Sequence, residues 1–101
     1  MAVTISVDGT AEKIPAEAAA TLADELRAYA DGYRGVCNDP KAARSLAAAI
    51  DDRLNRRGRG AIEINSDADL EVLHHVLNAI VYEIGPAMKL YNAVDMAIRA
   101  A

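Results

Sequence analysis

The chain has 101 residues and a mass of 10.7 kDa, one domain's worth, and 52% of it is apolar, with 22 Ala and neither Phe nor Trp. Such a chain can build a thin aliphatic core, but no apolar run approaches the ~18 residues of a membrane span. A net charge of −4 beside that apolar content argues against disorder, and the single Cys excludes an internal disulfide framework.

Val3-Thr4-Ile5-Ser6-Val7 alternates strictly and is β-branched, which predicts a strand with Val3, Ile5 and Val7 on one face. Asp8-Gly9 is a two-residue hairpin signal, because a type I′ turn needs two positive φ angles. A weaker second strand spans 11–14, and Glu12 on the face of Ile14 marks it as an edge. Pro15 suits the first turn of a helix over 16–31, whose stripe is Leu22, Leu26, Tyr29 and Tyr33. Asp39-Pro40 predicts a helix start, with Asp as N-cap and Pro next. That helix extends to Arg57, with Ala43, Leu46, Ala47, Ile50 and Leu54 inward and arginines at its carbonyl end. A third strand is expected over 61–65, with Ile62 and Ile64 inward.

Ser66 and Asp69 have capping-box spacing, so a third helix is expected from there to Ile84. Its apolar residues cover roughly 200° of arc, far more than a one-sided stripe. Such a helix is either packed between two layers or covered by another chain. Gly85-Pro86 ends it, and a last helix over 86–100 turns Leu90, Tyr91, Val94 and Ile98 inward, leaving Met88 and Met96 on its polar side. The order is β-β-α-α-β-α-α. It predicts a single compact α+β domain, 1–101, with a small three-stranded antiparallel sheet. The third strand pairs beside the first, and the helices cover one face. Thr4, Ser6, Lys13, Glu63 and Asn65 face water on the other.

The charge is uneven. Residues 41–60 carry Lys41, Arg44, Arg53, Arg56, Arg57 and Arg59 against Asp51 and Asp52, a local +4 that leaves −8 elsewhere. Arg56, Arg57 and Arg59 offer contacts to phosphate or to an acidic partner, but no aromatic residue is interleaved for base stacking. The same cations suit a solvated helix end, and Asp52 can pair with Arg56 one turn on.

The other reactive side chains read more plainly. His74 and His75 point about 100° apart on a helix, so they cannot chelate one metal in the i, i+4 manner, while Glu71 can pair with His75. Cys37 precedes a helix start, and a Cys–His nucleophile with His74 or His75 is the remaining route to an enzyme. Asp51-Asp52 and Asp67/Asp69 suit solvation and capping better than acid–base work. No spacing calls for a cofactor or a metal. Met1-Ala-Val-Thr-Ile lacks the regions of a signal peptide, so the cytoplasm is the expected location.

Val3-Thr-Ile-Ser-Val-Asp-Gly9, then Ile14-Pro-Ala-Glu17 into an Ala-rich helix, and Ile62-Glu-Ile-Asn-Ser-Asp67 into the third helix resemble small uncharacterised actinobacterial or actinophage proteins. The resemblance covers about a third of the chain and implies an accessory or host-interacting role. The surplus apolar arc points the same way. The sequence therefore predicts a non-enzymatic protein–protein interaction module, self-associating as a homodimer or binding a protein partner, and away from membranes. Its expected interface is Val72, Val76, Met88 and Met96. The alternative is a nucleic-acid-binding accessory using Arg56, Arg57 and Arg59.

Overall fold

The computed structural model describes residues 1–33 and 35–100. Strands β1 (Ala2–Val7) and β2 (Thr10–Pro15) form the hairpin. Asp8 and Gly9 take φ of +50° and +81°, as the turn between right-twisted strands requires. Val3, Ile5, Val7 and Ile14 are buried on one face. On the other, Lys13 and Glu63 are exposed and Thr4 is half-buried, while Ser6 is buried between its flanking strands.

Helix α1 (Ala16–Ala30) follows β2 without a loop, and its first N–H bonds to the Met1 carbonyl. Pro15 stands just outside the helix as its N-cap, one position earlier than the sequence suggests. Helix α2 (Pro40–Leu54) starts as expected, with the Asp39 carboxylate accepting from the Ala42 N–H at 3.0 Å. It stops three residues before Arg57, because Arg56 takes a left-handed φ of +59°. Strand β3 (Ile62–Ile64) adds to the far side of β1, giving the order β2-β1-β3.

The sheet is mixed, not purely antiparallel: β3 runs parallel to β1, with Ile62 opposite Ile5. The reason is the end of the sheet at which the chain returns. β2 finishes at Pro15, opposite Ala2. The packed pair α1 and α2 is an excursion out and back, and the 55–61 connection arrives beside Ala2, Val3 and Thr4. A strand that begins where β1 begins must run with it.

Helix α3 (Asp67–Ile80) is capped by Ser66, whose hydroxyl accepts from the Asp69 N–H. It ends at Ile80, four residues earlier than expected, in a turn over 81–83. A 3-10 turn (Gly85–Ala87) leads into α4 (Met88–Ala100). Helices α1, α2 and α4 pack on the sheet, and α3 packs among all three of them. Its wide apolar arc is consumed inside the molecule. Val72 and Val76 are each 1% exposed, so the expected interface is corrected at these two positions: they are core. Each contributes on the order of 1.5–3 kcal/mol through burial.

Candidate functional site

One face of α3 stays open. Asp67, Leu70, Glu71, His74, His75 and Asn78 recur at spacings of three and four and line a groove of about 490 Å3, closed on one side by Ile98 of α4. Leu70 and Ile98 give it an apolar floor, and the remaining lining groups are polar.

Those polar groups are fixed from outside α3. The His75 ring stacks on Tyr29 of α1, with centroids 4.2 Å apart and planes 11° from parallel. Asn38, just before α2, donates to Glu71 at 3.0 Å. His74 stacks on Tyr91 of α4 at 5.4 Å and donates through Nε2 to Asp95 at 3.1 Å. Arg99 holds the other Asp95 oxygen at 2.8 Å, and the Tyr91 hydroxyl donates to Asn78 at 3.1 Å. The His74 hydrogen bond, helped by Arg99 and opposed by desolvation, holds the Asp95 carboxyl below the usual carboxylate range. Burial pushes the Tyr29 phenol up, and the adjacent Cys37 and Glu71 reinforce the shift.

The chain matches no protein-family model, no curated protein and no solved structure.

Cys37 is half-buried beside Tyr29, and Tyr29 in turn carries His75; His74 is committed to Asp95. Among the described residues, no three His, Cys, Asp or Glu side chains gather in a way that could hold a metal ion. Asp51 turns toward α1 and pairs with Arg27, which also holds Asp24 within α1, while Arg44 of α2 pairs with Asp31 at the end of α1; the Arg27–Asp51 and Arg44–Asp31 pairs join α1 and its flank to α2. Asp67 lines the groove, and Asp69 supplies the capped N–H. Arg56, Arg57 and Arg59 are exposed, and among the described residues none makes an ion pair. The expected pairing of Asp52 with Arg56 fails because Arg56 has left the helix, so the i, i+4 register is lost. Met96 is 70% exposed and Met88 is also at the surface, as the sequence suggests.

Tyr29, Asn38, Tyr91 and Asp95 belong to the site but are not among the site residues expected from the sequence. Two signals were available: a 67/70/71/74/75/78 stripe of helical period, and Tyr91, Asp95 and Arg99 at successive i+4 positions.

Proposed function

We propose that this protein is a non-enzymatic binding module that takes up a segment of a protein partner in the α3 groove. One observation carries the proposal: the groove's polar side chains are positioned in advance by residues from α1, α4 and the segment before α2. A surface already held in its binding geometry loses less conformational entropy on association. The surroundings suit a protein ligand. Tyr33 and Val36, on the same 31–39 connection as Asn38, are 83% and 87% exposed, and large apolar groups at that exposure favour contact with another surface. The interface therefore moves from Val72 and Val76 to the groove and its rim.

Panning a displayed random peptide library against the wild type and Ile98→Arg tests this. Peptides that bind the wild type and lose the variant support the groove. A library that yields no binders, or binders indifferent to Ile98→Arg, removes it.

A second reading rests on Arg56, Arg57 and Arg59, three exposed guanidiniums within four residues. If they bind nucleic acid, each phosphate neutralised steepens the dependence of log affinity on log salt by about 0.9. The triple Ala variant would then flatten that slope by the corresponding amount. The −8 carried by the rest of the chain opposes this reading.

A further inference from the structure

We infer that the groove's occupant is the basic 56–59 turn of a second copy of this chain, so that copies associate head to tail. The inference rests on the groove reading above and adds the partner. Asp67 and Glu71 line the groove, and among the described residues neither carboxylate has a cationic partner. Arg56, Arg57 and Arg59 are the complementary set, clustered, exposed and, among the described residues, without an anionic partner. The two sets lie at opposite ends of the sheet. Gly58 and Gly60 sit beside Ala2, Val3 and Thr4, where β1 begins. Leu70 at the groove sits with Asp8 and Ile64, where β1 ends. One copy therefore cannot satisfy its own charges, whereas a neighbour can.

The turn is also preformed. The Arg57 N–H bonds to the Asp52 carbonyl at 2.7 Å, and Arg53 lies across the loop and donates to the Gly60 carbonyl at 3.2 Å. A Cβ at Gly58 would fall 2.0 Å from the Arg53 guanidinium, so glycine is what lets Arg53 lie there. The aliphatic stems of the arginines match the apolar floor, and their forks match carboxylates.

Pairing through the β2 edge is disfavoured by contrast. Opposed residues in an antiparallel pair share a face, so the two registers that keep most of β2 paired set Glu12 against Glu12 or Lys13 against Lys13. Pro15 also lacks a donor.

A head-to-tail contact uses two different surfaces, so it builds rings or open chains rather than a closed dimer. The test uses two charge-reversed proteins, Arg56→Glu/Arg57→Glu/Arg59→Glu and Asp67→Lys/Glu71→Lys, with circular dichroism to verify folding and triple and double Ala versions in reserve. In low salt the wild type should form species larger than a dimer as concentration rises, by sedimentation velocity. Each reversed protein alone should be monomeric, its self-affinity weakened by more than about tenfold. Mixing a reversed-turn protein with wild type should cap growth. Mixing a reversed-turn protein with a reversed-groove protein sets opposite charges against each other at both contacts, the basic turn in the acidic groove and the acidic turn in the basic groove, so the mixture should associate although neither protein does alone. Wild type that stays monomeric, a reversed protein that still self-associates alone, or a mixture of the two reversed proteins that stays monomeric would overturn the head-to-tail contact. If peptides nevertheless bind the groove and respond to Ile98→Arg, the groove reading survives that failure.

Discussion

The imidazole of His75 lies flat on the phenol ring of Tyr29, with the planes 11° from parallel. His75 is exposed and Tyr29 is buried, so the histidine acts as the cover over a core tyrosine at the rim of the groove. Removing the ring in His75→Ala should cost about 0.5–1.5 kcal/mol, the range for a stacked aromatic pair. Urea unfolding would measure it, and a loss near zero would mean the stack contributes no stability.

Tyr29 should also shape the alkaline limb of stability. Burial, then Cys37 and Glu71, raises its pKa, so the unfolded chain ionises this tyrosine before the folded one does. The associated stability is complete below the ordinary tyrosine value and is lost as pH climbs through the raised one. Tyr29→Phe should lose about 1 kcal/mol at neutral pH with the hydroxyl's contacts, and should fall less steeply above pH ~10. Urea midpoints at neutral and alkaline pH give both quantities. Identical alkaline slopes in the two proteins would refute the account.

Val76 and Met96 make a contrasting pair. Val76 is buried among α3's neighbours, whereas Met96 stands 70% exposed. Val76→Asp places a carboxylate where nothing can solvate it, and should unfold the monomer or cost more than about 3 kcal/mol. Met96→Asp should change stability by less than about 0.5 kcal/mol. Thermal melts of the two variants decide this. A folded, stable Val76→Asp protein would mean that α3 is not packed as described.

Local chemistry was legible in the sequence, and long-range geometry was not. Asp8-Gly9, Asp39-Pro40 and Ser66 each act within four residues, and each forms the turn or cap that its side chain favours. The direction of β3 depends on where a two-helix excursion returns, and no residue in β3 encodes that. The helical wheel likewise measured the width of α3's apolar arc but could not say whether protein or partner covered Val72 and Val76. The groove was hidden for a related reason. Its stripe on α3 is polar and looks solvated, and its meaning comes from Tyr29, Asn38, Tyr91 and Asp95 in three other segments.

The two side-chain caps give a calibrated check on the helix starts. Asp39→Ala and Ser66→Ala each remove the acceptor for one backbone N–H in the first turn of α2 or α3. Each should lower stability by about 1 kcal/mol, and a Gly at either site should cost less than Ala. Because the caps lie on different helices and share no partner, the double variant should lose the sum of the two. A double loss well short of that sum would reveal coupling between the starts of α2 and α3.

Asp95 links the stability of α4 to the shape of the groove. Its carboxylate receives His74 on one oxygen and Arg99 on the other, and the His74 hydrogen bond is the chief reason its pKa is depressed. A depressed carboxyl stabilises the fold above its unfolded pKa, and that contribution fades as pH falls through the lower, folded value. Asp95→Asn keeps the shape but removes the charge, so the variant should lose stability at neutral pH and show a shallower acid limb than wild type. Losing the anchor should also free the His74 ring from its stacked position against Tyr91, and any peptide selected on the wild-type groove should bind the variant more weakly. Carboxyl chemical shifts followed by NMR during an acid titration would place the Asp95 transition directly. A transition at or above the ordinary carboxylate value would show that His74 and Arg99 do not hold the charged form, and the prediction for the groove would fall with it.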